Sequence, residues 1–148
     1  MSHKHLGKVT GLFISKKDSS QRISKCSLSL DKLGIKDDKY HNTNIQRSVL
    51  ITSLSSYDLV KKNNIIMPFG SLGENLLIDY NPYHLASGTK LQIGTVILEI
   101  SQNCTMCDHL SKIDIKLPTL LKNDRGIFAK VIQEGEIRIE DNLYLVSE

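Results

Sequence analysis

The stretch of residues 89–101, TKLQIGTVILEIS, has the clearest strand pattern in the chain and decides the fold class. Apolar and polar residues alternate along it, so that Val96, Leu98 and Ile100 share one face. Such alternation is typical of a strand that packs one face against a core. The stretch therefore predicts strand structure, with a long, half-buried strand over residues 95–101.

Similar signals recur along the chain and favour a β-rich fold. Strand patterns occur at residues 7–15, 47–53, 74–78, 127–132 and 135–147, whereas helical patterns are limited to residues 53–64 and a short segment after Pro118. Gly135 is expected to form the turn of a hairpin. Many short strands with few short helices predict a mainly β fold, a strongly twisted and closed or nearly closed β-barrel. A parallel sheet is less favoured, because helices do not alternate regularly with the strands.

Composition narrows the class of protein. The chain has 148 residues, no repeat and no linker-like tract, and is predicted to be a single domain over residues 1–148. A net charge of +3 favours a small phosphorylated ligand more than a nucleic acid. The N-terminal sequence lacks the apolar core of a signal peptide, and no long apolar run is present. We expect a cytoplasmic protein with reduced cysteines, no membrane partner and no nucleic-acid partner.

Two cysteines, Cys104 and Cys107, follow the long strand in the segment QNCTMCDHL. Asn103 is predicted to cap a helix over residues 104–112, whose first-turn N–H groups would stabilise a thiolate. A structural zinc site is not expected, because no second cysteine pair supplies the remaining ligands. The residues alone leave three interpretations open: a dithiol redox pair, one reactive thiolate, or two small buried hydrophobic side chains.

Six segments, in order, resemble the MOSC domain family, which is named after the C-terminal part of molybdenum cofactor sulfurase. They are GKV (7–9), LGIKDDKYH (33–41), RSVLI (47–51), GSLGENLLI (70–78), GTVILEISQNCTMCDHL (94–110) and RGIFAKVIQEGEIRIED (125–141). The functional cysteine of the family falls on Cys107. The chain departs from the family pattern at Asp37, where glycine is usual, at Cys104, where many members have arginine, and at Met106, where proline is usual.

The resemblance implies a twisted β-barrel and a role for Cys107 as a catalytic thiolate. This thiolate would carry sulfur or bind molybdenum in a molybdopterin-type cofactor, since soft thiolates suit both tasks. Pyridoxal phosphate binding is also associated with the family as a whole. The matched positions imply a cofactor-binding set of Arg47, Asn75, Glu74, Arg125 and Cys104.

Chemistry suggests a role for each member of that set. Arg47 is expected to begin a strand and to reach a phosphate or a surface carboxylate. Asn75 would contact a pterin edge or stabilise a tight turn, and the turn is favoured. Glu74 would cap or orient its loop. Arg125 would pair with Glu74 or face the phosphate, and Cys104 would act beside Cys107 or only pack.

The leading functional hypothesis is molybdenum cofactor assembly or transfer, with a sulfur donor protein as partner. One alternative is a molybdenum-dependent reductase of N-hydroxylated compounds, which would need a separate reductase because so short a chain holds no electron-delivery domain. Others are a dithiol redox protein that uses Cys104 and Cys107, and a non-catalytic interaction module. A monomer or a homodimer is expected.

Overall fold

The computed structural model describes residues 2–17, 22–104 and 110–147. The strands are β1 (Ser2–Ser15), β2 (Arg22–Ser24), β3 (Ser27–Asp31), β4 (Gly34–Ile35), β5 (Val49–Ser53), β6 (Leu76–Ile78), β7 (Lys90–Ile93), β8 (Val96–Asn103), β9 (Ile127–Gln133), β10 (Gly135–Arg138) and β11 (Asn142–Ser147). The helices are a 3₁₀ helix (Ile45–Arg47), α1 (Leu54–Lys62), α2 (Leu110–Ile113) and α3 (Leu117–Leu120).

Seven strands close into a barrel in the order β1-β11-β7-β8-β9-β5-β6 and back to β1. The long strand β1 makes this closure possible, because it pairs with β11 through its first half and with β6 and then β2 through its second half. The β5–β6 pair is parallel, and the other barrel pairs are antiparallel. Closure satisfies the backbone groups that an open sheet edge would expose. The predicted fold class is confirmed.

The barrel interior is filled by the apolar face that the sequence pattern indicated. Val96, Leu98 and Ile100 are at most 1% exposed and belong to one cluster with side chains from the other barrel strands. A second cluster, which includes Tyr57, Leu72 and Leu110, packs α1, α2 and α3 against the barrel wall. Both clusters remove apolar surface from water, which is the main favourable term in folding.

The topology divides one alternating stretch and corrects one prediction. Residues 89–101 form two antiparallel strands, β7 and β8, because Gly94 turns the chain with a φ of +58°, and the long strand predicted over residues 95–101 is β8. Gly135 does not form a hairpin turn, since β10 pairs with β3 in a separate three-stranded sheet with β4. Both edges of β9 are already occupied, by β8 and β5, so β10 cannot fold back onto it.

The helical predictions are partly confirmed. Helix α1 begins after Ser53, whose side chain accepts a hydrogen bond from the Ser55 N–H, as the serine-rich start predicted. Arg47, however, ends the 3₁₀ helix and does not begin a strand, because the Asn44 side chain caps that helix and β5 starts only at Val49. Among the helices described, none is long and apolar enough to cross a membrane.

Asn75 connects β1 to β5 just before β6 begins. Its side-chain oxygen accepts from the Leu50 N–H at 3.0 Å, and its side-chain nitrogen donates to the Phe13 carbonyl at 3.2 Å. Its backbone bonds to the same two residues, at 2.8 and 2.9 Å. Because Asn75 is 6% exposed, water cannot readily replace these bonds. The Asn75 side chain thus supplies hydrogen bonds that link β1 and β5 just before β6 begins.

Removing this amide should destabilise the barrel. Asn75→Ala leaves the Leu50 N–H and the Phe13 carbonyl each without one buried partner, at a cost of about 1–3 kcal/mol per group. We expect urea denaturation to show a free energy of unfolding lower by about 2 kcal/mol or more. The control is Asn142→Ala, since Asn142 is exposed and a loss below about 0.5 kcal/mol is expected there. Equal losses in the two variants would contradict the bridging role.

Candidate functional site

A cleft of about 1360 Å³ opens beside the barrel wall. The 3₁₀ helix and the loop of residues 68–75 contribute residues to its lining. Five positively charged side chains line it: Arg22, Lys39, Arg47, Lys112 and Arg125. Within the described part of the chain, no Asp or Glu lines this cleft. Positive charges in a low-dielectric cavity reinforce one another, so the cleft is suited to an anion.

Arg47 is held flat against an aromatic ring on one wall. Its guanidinium lies over the Phe128 ring, 4.6 Å from the centroid, and Phe128 is at the start of β9. The Arg47 Nε is buried and has no hydrogen-bond partner among the described residues. Stacking fixes the plane of the guanidinium while leaving its N–H donors for a ligand.

Arg125 is fixed at the base of the cleft. It is 4% exposed, and its Nη1 donates to the carbonyl of Leu72. The Thr52 hydroxyl donates to the Arg125 carbonyl at 3.3 Å. Of the two predicted roles for Arg125, pairing with Glu74 is not observed, since the guanidinium binds the loop backbone. Its buried Nε has no partner in the described residues.

Glu74 orients the loop from behind, as the sequence suggested, and does not line the cleft. Its side chain is fully buried, and Oε2 accepts from the Tyr57 hydroxyl at 2.6 Å and from the Gly70 N–H at 3.0 Å. Burial raises the pKa of the Glu74 carboxyl above its ordinary value, more than the hydrogen bonds from Tyr57 and Gly70 lower it. Burial thus makes the charged form less favourable than it is in water, and the carboxyl is bonded to Tyr57 and Gly70 and does not line the cleft.

Arg22 and Lys39, which the sequence interpretation did not identify, meet at Ser15. Arg22 donates to the Ser15 hydroxyl and to the Glu74 carbonyl, and the Lys39 N–H donates to the Ser15 carbonyl at 2.8 Å. Burial lowers the pKa of Arg22, although the nearby Asp38 opposes this shift. The Arg22 Nε is a further buried donor without a partner in the residues described.

Cys104 lies in the wall of the cleft and is 4% exposed. The prediction that Asn103 caps a helix starting at Cys104 is wrong, because Asn103 still belongs to β8 and pairs with Ile127. The Cys104 N–H donates to the Gly126 carbonyl at 2.9 Å, so it continues the sheet. The described part of α2 begins only at Leu110.

Cys107, the predicted catalytic and metal-binding residue, lies outside the described residues. Cys104 and Lys112, which come before and after it in the sequence, both line the cleft. Of the predicted cofactor-binding set, Arg47, Asn75, Arg125 and Cys104 line the same cleft, and Glu74 supports it from behind. Among the residues that are described, no group of three or more His, Cys, Asp or Glu is placed to hold a metal ion.

Asp37, which stands where the family has glycine, has a φ of +71°. Aspartate is one of the few residues that adopt this left-handed conformation at modest cost. The turn that glycine would make is therefore preserved, and the adjoining residues Lys39 and Tyr40 reach the cleft.

The missed residues left one usable signal in the sequence. The chain has only four arginines, and three of them, Arg22, Arg47 and Arg125, line the cleft. Arginine suits fixed, buried anion contacts better than lysine does, so its scarcity makes each arginine a candidate. No sequence pattern marks Lys112 as a cleft residue, or Phe128 as the ring under Arg47.

The state of Glu74 can be tested through the pH dependence of stability. An unfolded glutamate titrates near 4.5, and the folded pKa is higher, so the folded state binds more protons and loses stability as pH rises above about 4.5. Glu74→Gln keeps an acceptor for Tyr57 and Gly70 but does not titrate. We expect urea denaturation between pH 4.5 and 8 to show wild type losing stability relative to Glu74→Gln as pH rises. Parallel curves would rule out a raised pKa.

Comparison with known proteins agrees with this architecture. A model of the MOSC domain family matches residues 37–144. The YuaD protein from Bacillus subtilis superposes with a TM-score of 0.79 and 15% sequence identity over 99% of this chain and 99% of that chain. YiiM from Geobacillus stearothermophilus gives 0.66 and 14% over 99% of this chain and 76% of that chain, and YiiM from Escherichia coli 0.66 and 19% over 95% and 70%.

The search of curated proteins found no match. At these identities the solved structures support the fold alone. The family match covers most of the chain, and this protein therefore belongs to the MOSC domain family.

Proposed function

We propose that this MOSC domain binds a molybdopterin-type cofactor by its phosphate in the cation-lined cleft and handles that cofactor, or its sulfur, through Cys107 in cofactor assembly or transfer. The observation that carries the proposal is a cleft with five cations and no carboxylate among its described lining residues. A phosphate group carries a charge of about −2 near neutral pH and accepts several charge-assisted hydrogen bonds.

The donors present suit such a ligand. The Nε atoms of Arg22, Arg47 and Arg125 are all buried without partners among the described residues, and all three side chains line the cleft. A buried donor without a partner costs free energy that an anionic ligand would recover. The described residues thus fit the phosphate of the cofactor.

Arg47 and Arg125 would hold that phosphate from two sides. Arg47 presents its N–H donors from the Phe128 ring, and Arg125 is fixed by the Leu72 carbonyl. The Asn75 side chain uses its oxygen to accept from the Leu50 N–H and one N–H to donate to the Phe13 carbonyl. Its other amide N–H would donate to the pterin edge. When bound, the cofactor would supply a molybdenum centre on dithiolene sulfur, for which a cysteine thiolate is a suitable soft ligand.

Cys107 would act as the sulfur carrier. Its thiolate attacks the outer sulfur of a persulfide on a donor protein, the S–S bond of the donor breaks, and the donor thiolate leaves with its electron pair. The resulting persulfide on Cys107 holds one sulfur atom for transfer, with no net oxidation or reduction. In the sequence, Cys107 lies between Cys104 and Lys112, both of which line the cleft.

The size of the cleft keeps the reductase alternative open. Its volume of about 1360 Å³ exceeds the range of roughly 300–1,000 Å³ usual for small-molecule sites, so a substrate would fit beside the cofactor. A molybdenum-dependent reductase of N-hydroxylated compounds would still need a separate reductase as electron donor. The dithiol alternative rests on Cys104, which lines the same cleft three positions before Cys107.

The proposal is tested by the content of protein purified from a host that makes molybdopterin. We expect bound pterin, with molybdenum by elemental analysis or an added mass of one sulfur on Cys107. Arg47→Gln should reduce the retained pterin about tenfold, because it removes a charge-assisted contact of about 1.5–3 kcal/mol.

Arg138→Gln is the matched control, since it removes one positive charge from an exposed ion pair with Glu136. It should retain pterin at the wild-type level. Cys107→Ser should keep the pterin but lose the added sulfur or the molybdenum. Wild-type protein free of pterin, molybdenum and added sulfur would refute the proposal, and turnover of an N-hydroxylated substrate with an artificial electron donor would favour the reductase.

A further inference from the structure

We infer that the cleft contains a second anion subsite, centred on Ser15 and separate from the one at Arg47, which binds the phosphate group of a second small molecule. The chemical class is a phosphomonoester, such as a mononucleotide or a sugar phosphate. This inference goes beyond the proposed function and does not depend on which ligand binds at Arg47.

The two subsites are fixed to different strands of the barrel. Arg47 rests on Phe128 of β9, whereas Arg22 is bonded to Ser15 at the end of β1. Two strands, β5 and β6, lie between these supports, since β9 pairs with β5, β5 with β6, and β6 with β1.

Neither guanidinium is able to leave its support without losing a contact. Arg22 is held at two points, the Ser15 hydroxyl and the Glu74 carbonyl, and Arg47 is held by its aromatic ring. Each side chain is therefore positioned by its own support. Each has its own buried Nε donor without a partner among the described residues.

Charge balance leads to the same conclusion. Five cations line the cleft, and no acidic residue does so among the residues described. Asp38 lies near Arg22, but the five cations still exceed the charge of about −2 on any one phosphomonoester, so a second anion can be accommodated. Extending the first ligand by a pyrophosphate link to a nucleotide would not help, because the linked diphosphate also carries about −2.

Lys39 extends the Ser15 subsite towards a neighbouring cavity. That cavity has a volume of about 490 Å³ and is lined by three lysines, one histidine and two aspartates: Lys16, Lys17, Lys39, His41, Asp37 and Asp38. The Asp38 carboxylate already accepts from the N–H groups of Ser15, at 2.7 Å, and Tyr40, at 3.1 Å. Lys39 lines both cavities and so supplies positive charge beside Ser15, where the Asp38 carboxylate is already bonded to two backbone N–H groups.

A ring surface lies beside this subsite. Tyr40 lines the cleft with 52% of its surface exposed, and the Lys39 ammonium is 5.0 Å from the Tyr40 ring centroid. An exposed aromatic ring next to a phosphate subsite allows a base or sugar to pack while its phosphate binds Arg22 and Lys39. The arrangement thus suits a small molecule that joins a phosphate to a ring.

The test is titration calorimetry of the full chain with AMP and ribose 5-phosphate, and with adenosine as the phosphate-free control. We expect both phosphorylated probes to bind and adenosine to bind at least tenfold more weakly. Lys39→Gln should weaken AMP binding about tenfold. It should leave the fold intact, because Lys39 contacts Ser15 through its backbone N–H and not through its side chain.

Matched variants separate the two subsites. Because the Arg47 subsite also accepts a phosphate, the AMP binding event assigned to the Ser15 subsite is the one that persists within about threefold in Arg47→Gln and in Lys8→Gln. Lys8→Gln removes one lysine charge from an exposed ion pair outside the cleft. Arg22→Gln should weaken AMP binding as Lys39→Gln does, with thermal denaturation to verify folding. The inference is overturned if neither phosphorylated probe binds, if adenosine binds as well as AMP, or if Arg47→Gln weakens AMP as much as Lys39→Gln. Any of these results leaves pterin retention, and hence the proposed function, to be judged separately.

Discussion

The cleft depends on the loop of residues 70–75, which is held by side chains from distant parts of the sequence. Arg22 and Arg125 donate to the carbonyls of Glu74 and Leu72, and Tyr57 donates to the buried Glu74 carboxyl. Asn75 then joins the loop to β1 and β5. Because these contacts are buried, the loop and the two arginines fix one another in position. The barrel supplies a rigid wall, and the loop turns that wall into a binding site.

This arrangement also explains why the positive charge is concentrated on one side of the loop. The only carboxyl of the loop, Glu74, does not line the cleft and lies in a buried site that raises its pKa. The arginines use one or two N–H groups to hold the backbone and keep other donors available. An anion that binds there would meet pre-oriented donors, which lowers the entropic cost of binding. Structural and binding roles are thus shared by the same side chains.

The sequence predicted the barrel because alternation identifies strands directly, and the faces of Val96, Leu98 and Ile100 were assigned correctly. The sequence did not predict which strands pair, because strand pairing is set by the topology of the folded chain. Nothing near Gly135 indicates that β10 pairs with β3, and nothing near Asn103 indicates that β8 continues to the rim of the cleft. Arg47, Asn75 and Arg125 were identified through the family resemblance. Arg22 and Lys39 were missed because their contacts with Ser15, and that of Arg22 with Glu74, form only in the folded chain.

The central claim is that fixed cations make this cleft an oxyanion site, and crystals soaked in tungstate test it most directly. Tungstate is a tetrahedral oxyanion like phosphate, and its metal gives a strong anomalous signal that locates it without ambiguity. The account predicts an anomalous peak inside the cleft, within hydrogen-bond reach of the Arg47 and Arg125 guanidinium groups. A cleft without tungstate, in crystals where the ion occupies only lysines outside it, would contradict the account.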